Sequence, residues 1–142
     1  MCRARRLAGM WKKLRHRWPS ALALVLTVDN LVAPRPLAPW TLLVLAFAYL
    51  SIGVVRGTLR PGRVLAAQLG GAGVYLGLIA LASALSGTAS AFVVGAGWFA
   101  HAGWDLWHHR RNLVVWREFA EWCAVVDAVI GVSVLMWAVA AL

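Results

Sequence analysis

The sequence predicts an all-α integral membrane protein, a single helical bundle of four to five transmembrane helices behind a basic N-terminal segment. Three observations lead there. The 142 residues are 62% hydrophobic and only 13% charged, and a mean hydropathy of +0.74 is far too apolar for a soluble domain of this size. The basic residues are clustered: seven of the fourteen Lys and Arg precede Pro19, three lie in Arg56 to Arg63, three in Arg110 to Arg117, and Arg35 stands alone. Apolar stretches alternating with basic turns are the pattern of a multi-pass chain. Finally, a span needs about 20 residues, so this length holds four or five spans in one bundle and no second domain.

Residues 1 to 18 contain no acid and carry Leu7, Trp11, Leu14 and Trp18 at spacings of four, three and four. Such a segment suits a short basic amphipathic helix on an anionic membrane face, and it equally suits a charged cytoplasmic tail. Residues 19 to 33 are apolar but short, about 22 Å of helix, with Asp29 and Asn30 near the far end. They read as an uncleaved first span or as a signal peptide; Leu31-Val32-Ala33 lacks the small residue wanted three before a cut. The run from Pro34 to Pro39 reads as a rigid exterior turn.

Three further turns of chain then separate four spans. Leu37 to Val55 is one, with Trp40 at its outer end, where an indole prefers the interface. Val64 to Leu85 follows the first basic turn, and its Gly73 and Gly77 form a small-xxx-small face suited to close helix approach. Ala91 to His109 follows a neutral loop from Ser86 to Ser90. Glu118 to Leu142 follows the second basic turn, which Trp107 and Trp116 bracket as interfacial anchors. With residues 19 to 33 counted as the first of five spans, the basic residues before, between and after the spans number seven, one, three, none, three and none, which places the N-terminus in the cytoplasm under the positive-inside rule. An Arg-over-Lys bias of twelve to two in an Ala- and Val-rich chain points to a bacterial inner membrane. The same clustering argues against nucleic acid as the partner of a chain with net charge +9; the expected partner is the lipid bilayer. Two cysteines, Cys2 and Cys123, are too few for a disulfide framework.

The chemistry is concentrated in WFAHAGWDLWHH, residues 98 to 109, which holds three of the four histidines. At about 100° per residue, His101, Asp105 and His108 fall within a wedge of roughly 60°, with His109 at its edge. An ionised Asp facing lipid costs about 2.5 to 3.5 kcal/mol on insertion scales, so this face is expected to turn inward. Cys123 and Asp127, four apart on the next helix, return to a similar depth. His101, Asp105, His108, His109, Cys123 and Asp127 can therefore converge in a cytoplasm-facing pocket. Imidazole, carboxylate and thiolate together suit a divalent transition metal such as zinc or iron, whereas magnesium or calcium would want oxygen. The spacing H-x3-D-x2-H is not an established zinc signature such as H-E-x-x-H. Other roles exist for each group: His108 and His109 at the headgroup level, Asp105 paired with Arg110 or Arg111, and Cys123 as a small buried hydrophobe. Glu118 and Glu121 read as first-turn acids placed for the helix dipole.

The run GWFAHAGWDLWHH, followed by a turn and EWCAVVDAVIG, resembles a family of small bacterial integral membrane proteins of unknown function. In that family a G-W-x-x-H-x-G-W-D-x-x-H-H run precedes a C-x3-D pair. The matching positions are Gly97, Trp98, His101, Gly103, Trp104, Asp105, His108, His109, Cys123 and Asp127, and the resemblance runs from about Leu37 to the C-terminus. It implies a shared site and no particular activity. The expected function is a membrane protein with a cytoplasm-facing metal site, with an enzyme acting on a lipid-like small-molecule substrate as its catalytic form. The alternatives are a small transporter or proton relay through Asp29, Asp105 and Asp127, and a non-catalytic subunit of a larger membrane complex. A haem site is disfavoured because no second helix offers a facing histidine, and no hydrolase triad, phosphate loop or nucleotide fingerprint is present.

Overall fold

Proline, glycine and asparagine set the helix boundaries in the computed structural model, which describes residues 17–142. It is all-helical among the described residues, with α1 at Trp18–Thr27, α2 at Leu42–Val55, α3 at Arg63–Ala84, α4 at Gly87–Arg111 and α5 at Arg117–Ala140. The amphipathic segment expected over residues 1 to 18 lies almost entirely outside the described residues.

Several boundaries differ from those expected, each for a local reason. The first apolar stretch is interrupted: the Thr27 hydroxyl donates to the Ala23 carbonyl at 2.7 Å and the Asn30 amide to the Thr27 carbonyl at 3.1 Å. Side-chain bonds of this kind compete with the helix ladder, and the helix resumes only over Asp29–Val32. The expected span from Leu37 starts later, because Pro39 holds Ala38 extended at ψ 144°; a 3-10 turn, Pro39–Thr41, then leads into α2. The loop expected at Ser86 to Ser90 is shorter. Gly87, with φ +57°, supplies a left-handed step that a side chain resists, so α4 begins there. At its other end α4 stops at Asn112, whose left-handed conformation sends its amide to the His108 carbonyl.

Helices α4 and α5 form an antiparallel hairpin and make the most intimate pair. A Cβ on Gly131 would lie 2.5 Å from the Phe99 backbone nitrogen, and one on Gly95 would lie 3.1 Å from that of Leu135. These two glycines, rather than Gly73 and Gly77, carry the close approach; a Cβ on either of the latter would meet nothing within 4 Å. Helix α1 runs parallel to α5, tied by Ser20 to Glu121 at 2.5 Å and by Ser133 to the Asn30 carbonyl at 2.6 Å. The α2–α3 hairpin covers the other side of α4, burying Leu42, Leu45, Ala46, Tyr75, Val94 and Trp98 together.

The two basic turns share one end of the bundle. Arg56 and Thr58, in the α2–α3 turn, both donate to the Val114 carbonyl in the α4–α5 turn, at 2.7 and 2.9 Å. Arg56 also stacks 4.3 Å over the Trp116 ring, and Arg17 reaches Glu121 at 3.4 Å. Val114 takes φ +58°, a conformation costing a β-branched residue about 1 to 3 kcal/mol, and its doubly used carbonyl helps to hold it there.

Helices α3 and α5 are long and apolar enough to cross a membrane, while Trp18–Val32 and Pro39–Val55 are shorter apolar stretches. The longest helix, α4, has 25 residues and carries the polar cluster. Valines and leucines such as Val25, Leu26, Val54, Val55 and Val74 are exposed, while Gln68, His101, Asp105, His108, Asp127 and Ser133 are buried.

Candidate metal centre

The short turn between α4 and α5 sets the depth of the site. His101 stands ten residues before the end of α4 and Asp127 ten residues after the start of α5. At 1.5 Å per residue both lie about 15 Å from the basic end. That is well inside the bundle, deeper than a site at the helix end would be. With the helices drawn together at Gly95 and Gly131, the two side chains meet across the interface. His101 Nδ1 is 2.8 Å from Asp127 Oδ2 and 3.4 Å from Asp105 Oδ1. All three residues are buried, Asp105 completely, at 0% exposure.

The charges in this cluster do not balance. Two carboxylates face one imidazole, and no lysine or arginine among the described residues forms a salt bridge with either acid. A protonated His101 offsets one negative charge and leaves the other. Asp105 Oδ1 accepts a hydrogen bond from the Tyr49 hydroxyl at 2.6 Å, but Asp105 Oδ2 is buried with no hydrogen-bond partner. Buried polar atoms are nearly always satisfied, and an uncompensated buried charge costs several kcal/mol. The arrangement calls for a further positive centre, either a proton or a metal cation.

His101, Asp105 and Asp127 each offer one ligand atom, and these atoms lie within 4.8 Å of one another. Donor atoms at about 2.0 to 2.2 Å on a tetrahedral zinc-like ion are about 3.3 to 3.6 Å apart, so the widest pair has to close by about an ångström or slightly more, a change within reach of side-chain rotation. With both carboxylates ionised and His101 neutral, a divalent ion makes the cluster electrically neutral. The buried group can hold a metal ion.

The other three expected ligands stand elsewhere. His108 is buried one turn nearer the basic end. Its Nδ1 lies 2.9 Å from the Trp104 carbonyl, which can only accept, so that nitrogen carries the proton. Its Nε2 then accepts from the Gln68 amide at 2.8 Å, leaving no free lone pair. His109 donates from Nδ1 to the Arg117 carbonyl at 3.0 Å, while Arg117 Nε donates to the His109 carbonyl at 3.1 Å; the pair braces the α4–α5 turn. Cys123 is a half-buried free thiol that does not enter the metal-competent group. Neither Asp105 nor Asp127 reaches Arg110 or Arg111.

Two residues of the α2–α3 hairpin complete the surroundings and were not among the expected site residues. Tyr49 binds Asp105, and Gln68 binds His108. Each was visible as a polar group inside an apolar stretch, a feature that marks buried function in membrane helices. Tyr75 also packs edge-on to His101 at 5.3 Å between ring centres and donates to the Gly97 carbonyl at 2.9 Å. A cavity of about 10 Å3, lined by Tyr49, Gln68, Tyr75, His101 and Trp104 among others, has room for about one water.

The chain matches no family model, and no curated protein or solved structure is similar to it.

Proposed function

We propose that the chain is an integral membrane protein that holds one divalent transition metal ion, zinc or iron, at His101, Asp105 and Asp127. The observation that carries this reading is the unbalanced pair of buried carboxylates with a free Asp105 Oδ2. One imidazole and two carboxylates suit iron(II), manganese(II) or zinc, and the absence of a thiolate from the set disfavours copper(I).

The membrane reading rests on exposed apolar side chains, such as Val25, Leu26, Val54, Val55 and Val74, around a bundle that buries ionisable ones beside its apolar core. Such a surface is unfavourable in water. In lipid, it is the expected arrangement. On this reading five segments are embedded, beginning with Trp18–Val32, and the shared basic end faces the cytoplasm of a bacterial cell. The run from Gly97 to His109 and the Cys123–Asp127 pair would then be the site held in common with the small bacterial membrane proteins they resemble.

The one-water cavity beside His101 favours ion holding, or chemistry on a water-sized reactant, over a bulky lipid-like substrate. Metal analysis of the purified protein tests the proposal. Wild-type protein is expected to carry zinc or iron that His101→Ala lacks; equal, negligible metal in both would remove it. A second reading draws on the continuous row Tyr49–Asp105–His101–Asp127, in which a shared proton can replace the metal and the row can serve as a proton relay. It predicts a proton flux in proteoliposomes that Asp127→Asn abolishes, with no metal in the wild type.

A further inference from the structure

We propose that Tyr49, held in place by His108, is the positioning residue that determines which carboxylate oxygen of Asp105 is offered to the cation. The proposal rests on the metal reading and assigns a role to the second histidine of H-x3-D-x2-H, which supplies no ligand.

Asp105 has two oxygens in different situations. Oδ1 accepts from the Tyr49 hydroxyl at 2.6 Å and has His101 Nδ1 at 3.4 Å. Oδ2 has no hydrogen-bond partner. A carboxylate turned by half a rotation would exchange these roles, so something must hold the orientation. Tyr49 does so because its own ring cannot move freely. It is 2% exposed and meets His108 at 4.5 Å, His101 at 5.8 Å and Phe119 at 6.5 Å between ring centres, each edge-on.

His108 is the nearest of these neighbours and is itself immobilised. Its Nδ1–H is committed to the Trp104 carbonyl and its Nε2 to Gln68, so its ring can neither flip nor swing without leaving a buried polar atom unpaired. Orientation thus passes from Gln68 on α3, through His108 on α4 and Tyr49 on α2, to Asp105. This resembles the way hydrogen bonds from outside a metal's ligand shell orient its ligands. The consequence is a preset pair of oxygens: Oδ1 is taken by the tyrosine and Oδ2 is left without a partner, free for the cation.

Cobalt(II) titration of the full-length protein in detergent tests this, because cobalt reports its ligand geometry in visible absorption. Tyr49→Phe keeps the ring and removes the hydroxyl; it is expected to weaken cobalt binding about 10- to 100-fold and to alter the spectrum of the bound ion. Val54→Ala, on an exposed face of the same helix, touches neither the ring nor the hydroxyl and is expected to leave both unchanged. Wild-type affinity and spectrum in Tyr49→Phe, or the same spectral change in Val54→Ala, would overturn the proposal. A second measurement keeps Tyr49 intact. The chain has two tyrosines, so in Tyr75→Phe the infrared C–O stretch of 13C-labelled tyrosine belongs to Tyr49 alone. That band is expected to shift when cobalt is added, and a band that stays still would overturn the proposal. If the wild type takes up no cobalt, the metal reading fails and takes this inference with it. Uptake with an indifferent Tyr49 defeats the inference alone.

Discussion

One helical turn of α4 separates two buried polar tiers that behave oppositely. In the tier nearer the basic end, His108, Gln68 and the Trp104 carbonyl form a closed set in which both ring nitrogens of His108 are matched to a partner. In the deeper tier, His101, Asp105 and Asp127 bring two acids to one base and leave Asp105 Oδ2 without a partner. Each tier centres on a buried histidine. What differs is whether the hydrogen-bond and charge requirements are met within the protein. The closed tier is complete as it stands, and the open tier is complete only with a cation or proton added. Burial of a histidine is therefore uninformative by itself, whereas the sum of the charges around it separates framework from site.

The contrast can be broken by substitution, and the largest effect belongs to the open tier. His101→Ala leaves two buried carboxylates without their base and is expected to cost about 3 to 5 kcal/mol, together with all bound metal. Denaturant unfolding in detergent, with metal content measured in parallel, checks both. In the closed tier, Gln68→Leu strands the Nε2 acceptor of His108 and is expected to cost about 1 to 3 kcal/mol. Metal binding, in contrast, is weakened and not abolished, because no ligand is lost while the hold of His108 on Tyr49 is loosened.

Asp105→Asn sharpens the comparison because stability and binding move in opposite directions. The amide removes a buried charge while its carbonyl still accepts from Tyr49. The metal-free protein is expected to gain up to about 1 kcal/mol while metal affinity collapses. Loss of both would show that the charge imbalance is already met inside the protein. The smallest effect is expected from His109→Ala, which removes one bond bracing the turn: about 0.5 kcal/mol, with metal content unchanged. A metal loss in this variant would return His109 to the site.

Much of this arrangement was legible in the sequence because it depends on local spacing. His101 and Asp105 share a face by helical periodicity. Asp127 returns to their depth because the α4–α5 turn is short and the two residues stand equally far from it. The ends of α4, by contrast, were expected at Ala91 and His109 and are set at Gly87 and Asn112 by left-handed backbone that no apolar pattern encodes. The partners of His108 and Asp105 were not legible, since Gln68 and Tyr49 lie 40 and 56 positions away on other helices and no periodicity links them. The same limit explains Gly73 and Gly77. Their spacing permits close packing, but which glycines are used depends on the neighbour, and the neighbour of α4 presents Gly131.

Zinc K-edge X-ray absorption on the loaded wild-type protein reads the ligands themselves. Nitrogen and oxygen neighbours at about 2.0 to 2.2 Å are expected, with the outer-shell scattering of a single imidazole. A sulfur shell at about 2.3 Å would bring in Cys123, and the signature of two imidazoles would bring in His108. Either result, or a protein that takes up no zinc at all, would contradict the division between an open tier that binds and a closed tier that supports.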